Sequence, residues 1–334
     1  MKFNSIFIAG GAGYVGSRLV PHLLNKGYKV TVYDIMYFGS DFLPKDNKNL
    51  NIIAGDIRDS KKLQNSCKDH EIFLNLACIS NDSSFQLDEN LSTTINLNAF
   101  EPMVISAKNA GIKRFIYAST SSVYGISKEK NVTEDHPLVP LTLYNKYKGM
   151  CEPLLLKHTD NNFEGVIFRP ATVCGYAPRQ RLDLSVNILT NFAVNKKQIT
   201  VFGGDQLRPN LHIQDYCDAV EVLIEADSKL IKNEIFNIGY QNMSINEISK
   251  LVRKVVMEEF SYDEIEILKT PSDDNRSYHI NSDKIKLKLN FYPKYSIENA
   301  VKELCDAFKN RLLPNSFDDD FYFNLKRLQR IKAK

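Results

Sequence analysis

Residues 6–16 read IFIAGGAGYVG, a short apolar run that passes directly into a turn rich in glycine. A helical pattern of leucines follows, and a second apolar run at residues 30–33 ends on Asp34. Strand, glycine turn, helix and a second strand closed by an acidic residue make up the βαβ unit that binds dinucleotides. This stretch therefore predicts a dinucleotide site at the start of the chain.

The glycines of this turn have separate predicted roles. Gly10 permits a tight turn, Gly13 lets the backbone approach a pyrophosphate, and Gly16 lets the helix pack closely on the strand. The pyrophosphate would then lie on N–H groups at the positive end of the helix dipole. Asp34 is placed to accept hydrogen bonds from the adenosine ribose and to repel a 2′-phosphate, which predicts NAD rather than NADP.

Composition narrows the class of protein. The 334 residues are 43% hydrophobic and 25% charged, which is ordinary for a soluble globular protein. The net charge of +3 favours neither nucleic acid nor a membrane surface as a partner. The six cysteines form no CxxC pair, so we expect reduced thiols and no metal site. The chain enters its first strand without a signal peptide, and no apolar run reaches membrane-spanning length. We therefore expect a cytoplasmic protein.

Short apolar runs alternate with helical patterns through the first half of the chain. The further predicted strands are residues 50–53, 71–76, 115–118 and 166–168. Helices are predicted at residues 91–110 and 143–158, with kinks at Pro102 and Pro153. This alternation predicts an α/β fold, a Rossmann-like doubly wound parallel sheet whose ligand lies beyond the carboxyl ends of the strands.

The second half has less sheet and more loop, which favours a smaller C-terminal α/β substrate-binding region. Helices are predicted at residues 183–195, at 215–226, from a capping box at Ser244 to about 259, and from Ser296; strands are predicted at 199–202 and 235–238. The expected division is an NAD-binding domain of residues 1–170 with 212–240 returning to it, a substrate region of 171–211 and 241–313, and a tail of 314–334. The tail is poorly patterned, and we expect it to fray.

Two later segments carry the predicted chemistry. Residues 118–125 read ASTSSVYG, which places four hydroxyls in a row at a strand end, and Tyr144 and Lys148 lie one helical turn apart. A phenol is a poor base at neutral pH, but a neighbouring ammonium favours the phenolate and lowers its pKa. Tyr144 could then take a hydroxyl proton while hydride leaves, with Thr120 holding that hydroxyl and Lys148 also holding the nicotinamide ribose. The alternative is that Tyr144 and Lys148 are only an amphipathic helix pair.

With these motifs the chain resembles the extended short-chain dehydrogenase/reductase superfamily, in particular its nucleotide-sugar epimerases and dehydratases such as the UDP-galactose 4-epimerases. The segments RPATVCG at residues 169–175 and RPNLHIQD at 208–215 add to the likeness. The resemblance implies NAD as cofactor and a wider set of cofactor-binding residues: Tyr14, Val15, Ile35, Asp56, Ile57, Leu76, Ala77, Asn96, Ala118, Pro170 and Val173.

The same resemblance implies a nucleotide-diphosphate sugar as substrate. Its diphosphate would lie on Arg208 and Arg276 with Asn187 nearby, because guanidinium groups match phosphate oxygens in pairs. Arg179 and Arg181 are weaker candidates, since Asp205 and Asp215 could simply pair with them. The resemblance also implies a homodimer, in which the helices predicted at residues 91–110 and 143–158 pair with their copies in a four-helix bundle.

Departures from the family narrow the reaction. The related 4,6-dehydratases carry an acidic pair where this chain has Ser121 and Ser122. At the position of Ser122, the related decarboxylases carry Glu, and the 3,5-epimerase/reductases carry Cys. A serine hydroxyl does not ionise at neutral pH, so hydride transfer with one hydroxyl proton remains. We expect an NAD-dependent nucleotide-sugar 4-epimerase, an isomerase of carbohydrate biosynthesis. The alternative is a 4-dehydrogenase or 4-ketoreductase. A dehydratase is less favoured, as is a 3/5-epimerase, for which Cys78 and Asp82 are the candidate acid/base residues.

Overall fold

The computed structural model describes residues 2–80, 88–127, 129, 131–271 and 277–334. The strands in these ranges are β1 (Ser5–Ala9), β2 (Lys29–Asp34), β3 (Leu50–Ala54), β4 (Ile72–Asn75), β5 (Arg114–Ala118), β6 (Glu164–Pro170), β7 (Thr172–Cys174), β8 (Gln198–Phe202), β9 (Leu207–His212), β10 (Ile235–Ile238), β11 (Gln241–Ser244) and β12 (Glu266–Thr270). The α-helices are α1 (Tyr14–Asn25), α2 (Ser60–Ser66), α3 (Glu89–Thr93), α4 (Phe100–Asn109), α5 (Leu143–Leu156), α6 (Ser185–Lys196), α7 (Ile213–Glu225), α8 (Ser228–Ile231), α9 (Ile245–Phe260), α10 (Asp283–Leu289), α11 (Ile297–Lys309) and α12 (Asn324–Ile331). None of them is both long and apolar enough to cross a membrane.

The main sheet of the described chain has seven parallel strands in the order β10-β6-β5-β4-β1-β2-β3. Strand order reverses direction between β1 and β4, and such a switch point leaves a crevice at the carboxyl ends of the strands. The predicted Rossmann-like sheet is confirmed. A three-stranded sheet, β11-β9-β7, and a two-stranded sheet, β12-β8, belong to the second half of the chain.

Both faces of the main sheet are buried under helices. Ile6 and Ile8 of β1 point into one core cluster, and Phe7 between them points into the other, because successive side chains of a strand face opposite sides. On the second face the ring centroids of Phe7 and Phe73 are 5.1 Å apart, and those of Phe73 and Phe115 are 4.7 Å apart. This double burial is why the strands read as continuous apolar runs.

The helix predicted over residues 91–110 is interrupted. It consists of α3, a π-helical segment Thr94–Asn98, and α4. Pro102 lies in the first turn of α4, where its missing N–H is tolerated, and the irregularity of the helix lies in the π segment just before it. The kink at Pro102 stays a prediction. Pro153 lies within α5, which continues to Leu156. The capping box predicted at Ser244 opens α9, and α11 follows Ser296 as predicted, where the structure adds a second capping box with Asn299.

The tail that we expected to fray is folded, so that expectation is wrong. A 3₁₀ turn at Asp320–Tyr322 leads into α12. Leu328 of α12 is buried in the same core cluster as Phe7 and Phe73. The Nε of Arg327 donates a hydrogen bond to the Tyr37 carbonyl oxygen at 2.8 Å. Leu328, the neighbouring Ile331 and Ala333, which pack on the same cluster, and polar contacts to distant loops hold this segment.

Candidate active site

A cavity of about 660 Å³ opens at the carboxyl ends of the central strands, beside the switch point. Most of the sequence-predicted site residues line it: Gly10, Gly13, Tyr14, Val15, Gly16, Asp34, Ile35, Asp56, Ile57, Leu76, Ala77, Ala118, Thr120, Tyr144, Lys148, Pro170, Val173 and Arg208. The fold thus gathers residues from both halves of the chain around one space.

The glycine turn leaves room for a dinucleotide. Gly10 has φ of +81°, and a Cβ on it would lie 2.4 Å from the Ala77 nitrogen. A Cβ on Gly16 would lie 2.1 Å from the Gly11 oxygen, so these two positions require glycine for packing within the protein. A Cβ on Gly13 would meet nothing closer than the Gly10 oxygen at 3.7 Å. The backbone at Gly13 is therefore open, and it fits the close approach of a pyrophosphate.

Asp34 ends β2 and faces the same turn. Its two carboxylate oxygens accept hydrogen bonds from the Ala12 and Met36 backbone N–H groups, at 2.9 and 2.8 Å. Burial raises the pKa of Asp34, while these two hydrogen bonds and the nearby Arg179 act in the opposite direction. The hydrogen bonds fix the orientation of the carboxylate at the cavity wall, where it fits a ribose hydroxyl donor.

Tyr144 and Lys148 stand one turn apart on α5, as predicted. Tyr144 is half-buried at the cavity, and Lys148 is buried. The Lys148 ammonium donates a hydrogen bond to the Ala118 carbonyl oxygen at 2.7 Å and lies 5.1 Å from the ring centroid of Tyr117. The lysine charge is therefore held at the carboxyl end of β5.

A chain of hydrogen bonds joins the hydroxyl-rich end of β5 to α5. The Thr120 and Ser122 hydroxyl oxygens are 2.9 Å apart. Ser122 in turn donates to the side-chain oxygen of Asn145 at 2.5 Å, and Asn145 is fully buried. The side chain of Ser122 thus braces Thr120.

Sequence reasoning missed a buried ion pair beneath this site. The Arg169 guanidinium donates two hydrogen bonds to the Glu152 carboxylate, at 2.9 and 2.6 Å, and Ser119 donates to the same carboxylate at 2.7 Å. Glu152 follows Lys148 by one helical turn, so its position on the inner face of α5 was a usable signal. The pair fixes the carboxyl ends of β5 and β6 against the helix that carries Tyr144.

Two predicted ligand-binding residues do not reach the cavity wall. The side-chain amide of Asn96 both accepts from and donates to the Ile79 backbone, at 2.8 and 2.9 Å, and lines a small separate cavity next to Lys148. Asn187 accepts from the Gly175 N–H at 3.1 Å and donates to the Tyr14 hydroxyl at 3.2 Å, behind the wall. Both amides position backbone. The predictions on Arg276 and Asp82 lie outside the described residues.

Arg179 and Arg181 line the cavity, and neither of the acids suggested as partners holds them. Asp205 accepts a hydrogen bond from Asn246 at 2.7 Å, and Asp215 accepts two backbone N–H groups. Arg181 instead pairs with Asp183 at 2.8 Å. The alternative that Asp205 and Asp215 pair with these arginines is therefore wrong.

Known proteins resemble this chain in sequence and in fold. Residues 6–239 match the NAD dependent epimerase/dehydratase family. The low-salt glycan biosynthesis protein Agl12 of Haloferax volcanii is 28% identical, over 91% of this chain and 98% of that protein. UDP-N-acetyl-alpha-D-glucosaminuronate decarboxylase of Bacillus cytotoxicus is 28% identical over 90% of this chain and 97% of its own length. The crystal structure of UDP-glucose 4-epimerase with UDP-glucose from Thermotoga maritima is 25% identical and has a TM-score of 0.82, covering 92% of this chain and 99% of that one.

Proposed function

The chain belongs to the NAD dependent epimerase/dehydratase family, and we propose that it is a nucleotide-sugar 4-epimerase. Its family makes it an NAD-dependent enzyme. The glycine turn, Asp34, and the backbone around Asp56 and Ile57 would hold the dinucleotide. There it would supply the hydride acceptor for sugar C4 and the hydride donor to the opposite face.

The observation that carries the proposal is the set of groups around the end of β5. Tyr144 takes the proton of the C4 hydroxyl and gives it back, with the nearby Lys148 ammonium stabilising the phenolate. Thr120, braced by Ser122, holds the same hydroxyl by a hydrogen bond. One proton donor and acceptor is sufficient for oxidation and reduction at a carbon that bears a hydroxyl.

Ser122 favours epimerisation over the related reactions. Identity alone does not distinguish them, because a decarboxylase and a glycan biosynthesis protein are both 28% identical to this chain. The Ser122 hydroxyl is engaged by Thr120 and Asn145 and does not ionise at neutral pH. It therefore supplies no acid or base for eliminating water. Net oxidation or reduction at C4 uses the same residues and is the second candidate.

We further propose the substrate contacts and the assembly. Arg208 lines the cavity and would bind the sugar-nucleotide diphosphate together with Arg276, with Asn187 supporting the wall. Residues 1–170 with 212–240 would bind the cofactor, and 171–211 with 241–313 the sugar nucleotide. The chain would form a homodimer through α4 and α5, where Ile105 and Met150 are 40% and 43% exposed. The six free cysteines support a reducing, cytoplasmic location.

The decisive experiment identifies the sugar-nucleotide products and measures whether solvent deuterium enters the sugar carbons. The full-length enzyme is incubated in D₂O with UDP-glucose, UDP-galactose and their N-acetylated and uronic acid counterparts, and products are read by NMR. We expect C4 epimers in both directions, no net NADH and no deuterium on sugar carbon, because hydride passes directly between C4 and the nicotinamide. Deuterium at C3 or C5 would refute the proposal and implicate Cys78 or Asp82. Stoichiometric NADH or a released 4-keto sugar would favour the second candidate.

A further inference from the structure

Two buried arginines face the cavity, and the proposed chemistry leaves both unused. Arg179 and Arg181 are 3% and 8% exposed, and both line the cavity near the glycine turn. Guanidinium groups are rarely buried unless an anion or several acceptors satisfy them. Their contacts therefore indicate what the cavity is built to bind.

Not all hydrogen-bond donors of the Arg181 guanidinium are used. Its Nε donates to Asp183 at 2.8 Å, and its Nη1 donates to the Ser80 hydroxyl at 3.3 Å. Its Nη2 is buried and has no hydrogen-bond partner among the residues that the structure describes. Asp183 thus holds the guanidinium in place but does not use its full set of donors.

Arg179 is held in a similar way from the other end of the chain. Its Nη2 donates to the side-chain oxygen of Asn324 at 2.7 Å, and its guanidinium carbon lies 3.5 Å from the ring centroid of Phe38. Its backbone N–H donates to the Ser17 hydroxyl, in the first turns of α1, at 3.1 Å. The Nε of Arg179 is buried without a partner in the described part of the chain.

The acids near the two arginines leave both free donors unused. Burial, and next the adjacent Arg181, lower the pKa of Arg179 to about 9, while Asp183 and Asp34 act in the opposite direction. Asp34 and Asp183 are already hydrogen-bonded, to backbone N–H groups and to Arg181 respectively. Arg327 also lies nearby, but Asp320 pairs with it at 3.3 Å. An anion carrying several oxygens would satisfy both free donors.

The proposed function requires two diphosphate groups, one in the dinucleotide and one in the sugar nucleotide. The position of Arg179 and Arg181 favours the first. Arg179 contacts Ser17 on α1 and Phe38 just after β2, and lies near Asp34. These are the elements of the dinucleotide unit, whereas the proposed diphosphate site for the sugar nucleotide rests on Arg208 of β9. We propose that Arg179 and Arg181 form a two-arginine clamp on the pyrophosphate of the dinucleotide, in addition to the glycine turn. This inference rests on the proposed cofactor site.

Asn324 is a positioning residue for this clamp. Besides accepting from Arg179, its side-chain nitrogen donates to Ser80 at 2.7 Å, and its backbone N–H donates to Asp183 at 3.1 Å. One residue of α12 therefore contacts Arg179 directly and two hydrogen-bond partners of Arg181. The C-terminal helix, through Asn324, holds the clamp in a fixed geometry.

The test is calorimetric titration of the full-length protein with adenosine, ADP-ribose and UDP, which separates phosphate binding from base binding. Arg179→Gln and Arg181→Gln should each weaken ADP-ribose by about 10- to 100-fold, the range for a lost charge-assisted hydrogen bond. Adenosine and UDP should bind as before. Arg253→Gln, at an exposed position of α9, is the matched control. Asn324→Ala should give a smaller loss of the same selectivity without removing a charge.

Each result separates the clamp from the proposed function. Unchanged ADP-ribose affinity in both arginine variants overturns the clamp and leaves the function standing. Weakened UDP with unchanged ADP-ribose overturns it and assigns the arginines to the sugar nucleotide. If the unmutated protein binds no ADP-ribose, the proposed cofactor site itself fails. Should the Gln variants unfold, Arg179→Lys and Arg181→Lys keep the charge and remove the fork, and they should still weaken ADP-ribose selectively.

Discussion

The hydroxyl of Ser122 donates a hydrogen bond to the side-chain oxygen of Asn145, 2.5 Å away. The same hydroxyl lies 2.9 Å from the hydroxyl of Thr120. Asn145 is next to Tyr144, the proposed proton acceptor, and it fixes, through Ser122, the threonine that would hold the substrate hydroxyl. The side chain of Ser122 is thus a brace for Thr120.

The brace predicts unequal effects at neighbouring hydroxyls. Thr120→Val should lower kcat by about 10²–10³-fold, because it removes a hydrogen bond at the reacting centre. Ser122→Ala should cost much less, because it loosens Thr120 without removing a group that contacts substrate. Steady-state kinetics of the two variants compare these effects directly. A larger loss in Ser122→Ala than in Thr120→Val would mean that Ser122 takes part in the chemistry.

Tyr144→Phe should abolish detectable turnover while leaving NAD and sugar-nucleotide binding nearly unchanged, since it removes only the proton acceptor. The matched control is Tyr147→Phe on the same helix, whose hydroxyl lies 3.2 Å from the Thr93 hydroxyl. Turnover assays and calorimetric titrations on both variants are the measurement. Full activity in Tyr144→Phe would remove this residue from the mechanism.

Asp34→Ala should weaken NAD by about 10- to 100-fold, because hydrogen bonds to a charged carboxylate are lost, and should improve NADP relative to NAD. Asp34→Asn keeps the side-chain volume, removes the charge and replaces one of the two acceptor oxygens by an NH₂ donor. The measurement is the dissociation constant of NAD and of NADP for the unmutated protein and for both Asp34 variants. Comparable values for NAD and NADP in the unmutated protein would contradict the role of Asp34 in selecting NAD.

Glu152→Ala should lower the free energy of unfolding by about 3–5 kcal/mol, because it leaves the buried Arg169 guanidinium without its carboxylate. Glu152→Gln, which can still accept hydrogen bonds, should cost less. Urea denaturation measures both, with Asp41→Ala as the control: its ion pair with Lys45 is at the surface and should contribute little. A loss no larger than that of the control would show that the buried pair adds no stability.

The proposed homodimer predicts that light scattering at micromolar concentration gives twice the 38.2 kDa mass of the chain. Joint replacement of Ile105→Glu and Met150→Glu should shift the mass to that of a monomer, because charges would be buried at the paired helices. Leu287→Glu, at an 84% exposed position on α10, should leave the mass unchanged. A monomeric mass for the unmutated protein would exclude the dimer.

Local patterns carried much of the architecture. The turn at Gly10, Gly13 and Gly16, the apolar strands, the capping box at Ser244 and the helix start at Ser296 depend on neighbours within a few residues, so the sequence displays them directly. Tyr144 and Lys148 are one helical turn apart for the same reason. These features meet at one cavity because parallel strands place their carboxyl ends at one edge.

Long-range polar contacts escaped prediction. Arg179 and Asn324 are 145 positions apart, and nothing in the periodicity of either segment indicates that they touch. The π segment before α4 likewise has no signature in hydrophobic spacing, whereas Pro102, which drew attention, fits a helix start. Asn96 and Asn187 were assigned to ligands by resemblance, but their amides hold backbone.

The part played by α12 bears on how the protein is made. Ser80 and Asn324, whose side chains meet at 2.7 Å, are 244 positions apart. At translation rates of about 5–20 residues per second, the second is synthesised on the order of ten to fifty seconds after the first. The glycine turn and the first strands therefore leave the ribosome well before the part of the cavity wall formed by Asn324 has been synthesised. The nascent chain passes through a stage in which its nucleotide pocket is open on one side.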